Sequence, residues 1–267
     1  MCRIKISLIT LICFILTACT TVPITGRQQL NLVPDSSMLS MSLQEYNKFL
    51  DQNKLSKDTE KVNMVREAGV RIQRAVEMYL TQNNMKEELK NYAWEFNLVE
   101  NKEVNAWCMP GGKVVVYTGI LPYTQDETGL AVVIGHEIAH AVAKHGNERM
   151  SQGLLAEMGG IALSEALKTK SSATLQLWMA AYGLGAQYGI LMPYSRLQEN
   201  EADHLGLIFM AMAGYDPNAT VPFWQRMSAQ KGGSAPPEFL STHPSDNTRI
   251  KNIQSLIPDA MKYYKQK

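Results

Sequence analysis

An excess of either sign of charge is missing from this chain. Its 26 basic and 25 acidic side chains leave a formal net charge of +1, so no broad electrostatic attraction draws it to nucleic acid or to an acidic partner. Cysteine is too sparse to staple a fold. Of four, Cys2 and Cys13 lie in an N-terminal stretch that its pattern predicts to be removed, Cys19 stands at the expected processing point, and only Cys108 is left, which excludes a disulfide within the processed chain. There is no internal repeat. A hydrophobic fraction of 45% over 267 residues excludes a disordered chain and suffices for a buried core. Histidine is scarce as well, yet three of the five fall between His136 and His145.

The N-terminus reads "MCRIKISLITLICFILTACTT", with two basic residues, an apolar run from Ile6 to Leu16 and small residues before Cys19. A membrane-spanning helix needs about 20 apolar residues, so the shorter run predicts an export signal over 1–18 rather than an anchor helix. Leu16-Thr17-Ala18-Cys19 resembles the bacterial lipobox, in which Cys19 would carry lipid after cleavage. Thr20 in place of aspartate then implies a lipid-anchored protein of the bacterial envelope, on the outer membrane facing the periplasm. The turn-rich residues 19–40 are expected to be a tether, and 41–267 a single domain.

Hydrophobic spacing predicts a helix over Thr59–Gln82, where Val62, Val65, Gly69, Ile72, Val76 and Tyr79 share a face. "YAWEFNLV" from Tyr92, Val104 to Met109 and "KVVVYTG" from Lys113 read as strands, the last two joined by a Pro110-Gly111-Gly112 turn. The fold class is therefore mainly α with a small antiparallel β-sheet, an α+β arrangement. A capping box of Thr124 and Glu127 predicts a helix start, and Gly146 its stop. Residues 153–193 are rich in small and apolar residues, and 173–192 carry no charge. That raises the question of a membrane span; a helical insertion, lid or core, is the reading adopted. Asp216-Pro217 should open a further helix, and Thr248 to Ile257 the last.

On the helix containing "HEIAH", His136 and His140 are separated by about 400° of rotation and lie one turn apart on one face, where two imidazoles can share one metal ion. Glu137, about 100° round, can reach a water on that ion without binding it. His145 is about 140° off this face and is assigned a structural role at the helix end. Zinc with two histidines needs another ligand, commonly a carboxylate. In "SRLQENEADHLG" Glu199 and Asp203 share a face, whereas Glu201 is about 200° away from Glu199. Glu199 is therefore the predicted third ligand of one zinc ion, and Asp203 the acceptor for a ligand histidine's other ring nitrogen. His204 points away from the site.

"GHEIAHAVAKHGNER", "SRLQENEADHLGL", "NAWCMPGGKVVVYTG", "MAMAGYDP" and "STHPSDNTRI" together resemble the gluzincin zinc metallopeptidases of the HtpX, CaaX prenyl protease and OMA type, in order from about Trp94 to Ile253. The lipobox and single tether favour the BepA-like and LoiP-like lipoprotein branch. The resemblance implies a zincin-like fold and a metalloendopeptidase acting on unfolded or misassembled envelope proteins, with Glu137 as base. It also implies a possible envelope assembly-machinery partner. A second reading is a chaperone-like assembly factor with a mostly closed zinc site.

On the same resemblance His243, before Pro244, is the candidate oxyanion donor or fourth zinc ligand. Tyr194 is a weaker donor candidate. Arg249 would anchor the turn, meet a substrate carbonyl or form a surface salt bridge. The strand at Asn105, Ala106 and Trp107 resembles an edge that binds substrate backbone as an added strand.

Overall fold

The computed structural model describes residues 19–168, 171–172, 176, 195–229, 238–243 and 247–265. In chain order the elements are β1 Cys19–Thr21, β2 Gln28–Leu30, α1 Asp35–Gln52, α2 Thr59–Gln82, β3 Glu95–Val99, β4 Ala106–Met109, β5 Lys113–Tyr117, α3 Leu121–Thr124 and α4 Glu127–Val142. They continue with α5 His145–Leu167, α6 Arg196–Met212, α7 Thr220–Ala229, α8 Glu238–Thr242 and α9 Asn247–Ala260. The mainly helical α+β class expected from the sequence is what these elements form. The signal segment, most of the charge-free run 173–192 and Tyr194 lie outside the described residues. Among the described residues no helix is long and apolar enough to cross a membrane.

Two compact units divide the chain: Met1–Pro34 with Lys144–Pro193, and Asp35–Ala143 with Tyr194–Lys267. In the first, the stretch expected to be a tether carries a hairpin, β1 pairing antiparallel with β2 from Cys19↔Leu30 to Thr21↔Gln28. Arg27 forks onto Glu148 of α5 at 2.5 and 2.9 Å, and the Leu32 amide donates to Ser151 Oγ at 2.8 Å. The rest of the expected tether belongs to the second unit, because α1 begins at Asp35.

In the second unit the sheet order is β3-β5-β4, and one pairing differs from the expected antiparallel sheet. β4 and β5 form the antiparallel hairpin, with Gly111 and Gly112 in the left-handed region at φ 90° and 78°. β3 runs opposite to β4 but pairs with β5, so that pairing is parallel. Alternation in sequence marks a strand but not its neighbour.

Helix α2 has the expected bounds, started by Asp58, which accepts from the Lys61 amide. It packs on the sheet through Gly69, where an added Cβ would stand 2.2 Å from Phe96 Cδ1. Gly69→Ala is therefore expected to destabilise the fold by about 1–3 kcal/mol, although alanine is the better helix former. Urea unfolding checks this, and a variant as stable as the parent would show that Phe96 moves aside freely.

The boundaries of α4 differ from expectation at both ends. Thr124 closes the one-turn α3, its hydroxyl donating to Leu121 O at 3.1 Å. Asp126 is the cap, accepting from the Gly129 amide at 2.7 Å, and Glu127 turns away to Arg71 at 3.0 Å. At the other end Lys144 takes the left-handed conformation at φ 57° and starts a new helix, so Gly146 lies inside α5. His145 opens α5, fully buried, rather than finishing α4. α4 itself is buried on nearly every side, as a helix apolar all round must be.

Candidate metal centre

Two long helices bring the site together. α4 carries His136, Glu137 and His140, and α6 carries Glu199 and Asp203. The start of α6 is set by the capping box predicted by no single residue alone: Ser195 Oγ accepts from the Gln198 amide and Gln198 Oε1 from the Ser195 amide, both at 3.2 Å. This places Glu199 in the first turn, where the helix dipole favours a carboxylate. His243 follows α8, and Arg249 lies in the first turns of α9. All seven of these side chains are at most 5% exposed.

One atom each of His136, His140, Glu199 and His243 lie within 4.8 Å of one another. His136 Nε2 is 3.1 Å from His140 Nε2, 3.2 Å from His243 Nδ1 and 3.4 Å from Glu199 Oε2. Glu199 Oε1 is 3.2 Å from His140 Nε2 and 2.9 Å from His243 Nδ1. Zinc bonds of about 2.0–2.1 Å in a tetrahedron put neighbouring donors about 3.3 Å apart. The edges joining Glu199 Oε1 and the histidine nitrogens given above, 2.9–3.2 Å, are close to that figure.

The hydrogen bonding points the same way. His136 Nδ1 is 3.0 Å from Asp203 Oδ1. A carboxylate only accepts, so Nδ1 carries a proton, and Nε2, the ring nitrogen facing the cluster, is the one that would give up its proton to a metal ion. Glu137 Oε1 is buried with no hydrogen-bond partner among the described residues, while Glu199 Oε2 meets Arg249 Nη1 at 2.9 Å. Burying such atoms is costly unless a cation or a polar reactant meets them. The four donors thus fit a zinc ion.

Charge reinforces this. Burial would raise the Glu199 carboxyl pKa, but His243 and His136 outweigh it and hold it well below the usual range. For Asp203 burial is likewise outweighed, here by Arg249 and His136. Burial lowers the His136 pKa, but Glu199 and Asp203 more than reverse this and push it up to about 9. Glu137 behaves differently: burial dominates and raises its pKa despite His243 and His136.

Arg249 corrects an expectation. It is 5% exposed, so its ion pairs are not the surface salt bridge that one reading expected. Its Nε and Nη2 fork onto Asp203 at 2.9 and 2.8 Å, its Nη1 is 2.9 Å from Glu199 Oε2, and its guanidinium lies 3.7 Å above the Trp224 ring. Trp224, which sequence reasoning missed, also meets His136 edge-on at 5.9 Å and stacks on Phe239 at 5.7 Å. An aromatic on α7, next to Phe223, carries no sequence signal for this. Phe239 in turn lies 4.8 Å from the His243 ring.

The remaining residues sort by distance. Glu201 is buried at 2% exposure but outside the donor cluster, and His204 pairs with Asp259 at 2.7 Å. Asn105 directly precedes β4, the outer strand of the sheet, whose members Ala106 and Trp107 pair with Val116 and Val115. Only the backbone of Cys19 is described, at the start of β1.

A helix-borne histidine pair, a carboxylate from a second helix and an adjacent free carboxylate on a zincin-like α+β frame define the metallopeptidase class. The chain belongs to Peptidase family M48, whose profile matches residues 68–257. It is 38% identical over 177 residues to the mitochondrial metalloendopeptidase OMA1 of Schizosaccharomyces pombe, covering 64% of this chain and 49% of that one. To the human mitochondrial metalloendopeptidase OMA1 it is 32% identical over 248 residues, 90% of this chain and 46% of the relative. To the beta-barrel assembly-enhancing protease of Yersinia pestis it is 34% identical over 170 residues, 61% of this chain and 34% of the relative. The chain thus spans about half or less of the length of these relatives.

These names correct the expected address. The yeast and human relatives are mitochondrial by name, against the placement on a bacterial outer membrane facing the periplasm. A short basic and apolar run is shared by more than one kind of targeting segment, so the N-terminal pattern alone does not distinguish one compartment from another.

Proposed function

We propose that this chain is a zinc-dependent endopeptidase that cleaves peptide bonds in unfolded or misassembled proteins, envelope proteins among them. The observation that carries the reading is the close buried grouping of His136, His140, Glu199 and His243 beside Glu137, whose Oε1 has no hydrogen-bond partner among the described residues. His136, His140 and Glu199 would hold the ion. When bound, zinc supplies a Lewis acid that lowers the pKa of a water and polarises a carbonyl.

The protein's own groups do the rest. Glu137, with a pKa raised by burial, takes the proton from the attacking water and returns it to the leaving amine. Asp203, held by Arg249, keeps His136 in the tautomer that can bind metal. β4 offers its outer edge at Asn105, Ala106 and Trp107 to an extended substrate, whose backbone would pair without regard to sequence. Such recognition suits unfolded chains, and the relatives named for β-barrel assembly support an assembly-machinery partner for the substrates.

His243 favours a second reading of the same site. Its Nδ1 stands at the fourth vertex, 3.2 Å from His136 Nε2 and 2.9 Å from Glu199 Oε1. A catalytic zinc keeps that position open, whereas a closed four-ligand site is structural. In that reading the chain acts as a chaperone-like assembly factor. As a peptidase, it withdraws His243 before substrate enters, and the freed imidazole can donate to the developing oxyanion.

Chelation tests the function. Cleavage of unfolded casein should be abolished by 1,10-phenanthroline and restored by one equivalent of zinc; cleavage unaffected by complete metal removal would sink the peptidase reading. The ligand assignment has its own check. Glu199→Gln should lose most of its zinc by elemental analysis, and Glu201→Gln should retain it. Loss in the second alone would show the helical phasing wrong.

A further inference from the structure

Gly135 and Gly206 meet where the two ligand-bearing helices touch. A Cβ on Gly206 would stand 3.1 Å from the Gly135 carbonyl carbon and 3.1 Å from the backbone nitrogen of His136. A Cβ on Gly135 would stand 3.2 Å from Gly206 O. Ordinary carbon contacts begin near about 3.5 Å, so either addition must push the helices apart by a few tenths of an ångström. Neither glycine is needed for its backbone angles, because neither has a positive φ, and alanine would form a better helix at both places. Close approach is what remains to explain them.

The contact is next to the metal ligands in the chain. Gly135 precedes His136, and Gly206 lies two turns beyond Glu199 on nearly the same face and one turn beyond Asp203. A shift here is carried by short, stiff lengths of helix to the donors. We propose that Gly135 and Gly206 are positioning residues: their backbone-to-backbone contact sets the spacing between His136 and His140 on one side and Glu199 on the other, and so the size of the cation the site holds. The inference rests on the metal-site reading above. It explains why donor edges as short as 3.1–3.2 Å occur between different helices and within one helix alike.

Cation size supplies the test. Cadmium shares zinc's filled d shell but forms bonds longer by a few tenths of an ångström, so a widened site should favour it. The affinities of the parent, Gly206→Ala and Gly135→Ala for zinc and for cadmium would be measured by competition with a chelating dye. Gly206→Ala is expected to lose about 10-fold in zinc affinity and clearly less for cadmium; Gly135→Ala should shift the ratio the same way. Gly69→Ala, whose added carbon presses on Phe96 instead, should lower the melting temperature and leave the ratio unchanged. A zinc-to-cadmium ratio equal to the parent's in both helix-contact variants overturns the inference. If Gly206→Ala does not fold, Gly135→Ala, which meets a single carbonyl oxygen, supplies the ratio. A parent that takes up no zinc overturns the metal reading itself, a result distinct from an unchanged ratio.

Discussion

Glu137→Gln is expected to retain zinc and thermal stability while peptide hydrolysis falls by about 10²–10⁴-fold, the range for loss of a positioned general base. Glu137 is 5% exposed, sits next to His136, and its Oε1, 3.4 Å from His243 Nε2, has no hydrogen-bond partner among the described residues. A group in that state does not hold the fold together. Glutamine keeps its shape but cannot take a proton. Casein cleavage and elemental analysis on the same preparation separate the possibilities. Activity at the parent level would remove Glu137 from the mechanism, and zinc lost in step with activity would make it part of the binding set.

The second large effect is on stability. Arg249→Met is expected to cost about 3–5 kcal/mol, the range for removing one partner of a buried ion pair. Arg249 is the cation that meets both Asp203 and Glu199, two carboxylates each 4% exposed, and methionine can replace only its packing on Trp224. The measurement is urea unfolding of the metal-free protein. Adding Asp203→Asn to the Arg249→Met background should recover part of the loss, because the charge left unpaired is then gone. A single variant within about 1 kcal/mol of the parent would show that the buried network contributes little; a surface pair would do no more than that.

Much of the site was legible because helical phase is a property of the backbone. Rotation per residue is the same in any α-helix, so spacing alone places His136 with His140, sets Glu137 beside them, and separates Glu199 and Asp203 from Glu201. The structure brings His136, His140 and Glu199 together as that phasing requires. The same argument turned His145 away, correctly, but its assignment as the end of α4 failed. Where a helix stops depends on local backbone choices, and Lys144 in a left-handed conformation overrode the glycine two residues on. At the start of α4 the Asp126 cap likewise overrode the Thr124 pattern, because Pro122 already sits in the first turn of the separate short helix α3.

Contacts between distant segments were out of reach. Arg249 was open to three readings in sequence, and its true partners lie on α6 and α7, one of them 46 positions away. Trp224 had no marker at all. Alternation in "YAWEFNLV" and the β-branched run in "KVVVYTG" announced two strands, and nothing in either said that β5 would lie between β3 and β4 and pair in parallel with the first.

By itself, then, the amino-acid order determined the helix bearing the histidine pair, the carboxylate that joins it and the chemistry class, because those follow from short-range geometry repeated at every turn. Tertiary structure alone decided the buried Arg249 network, the close crossing at Gly135 and Gly206 and the placement of His243 beside His136 and Glu199. These depend on how separate elements pack, and packing is selected by the free energy of the whole fold rather than by any one stretch of it.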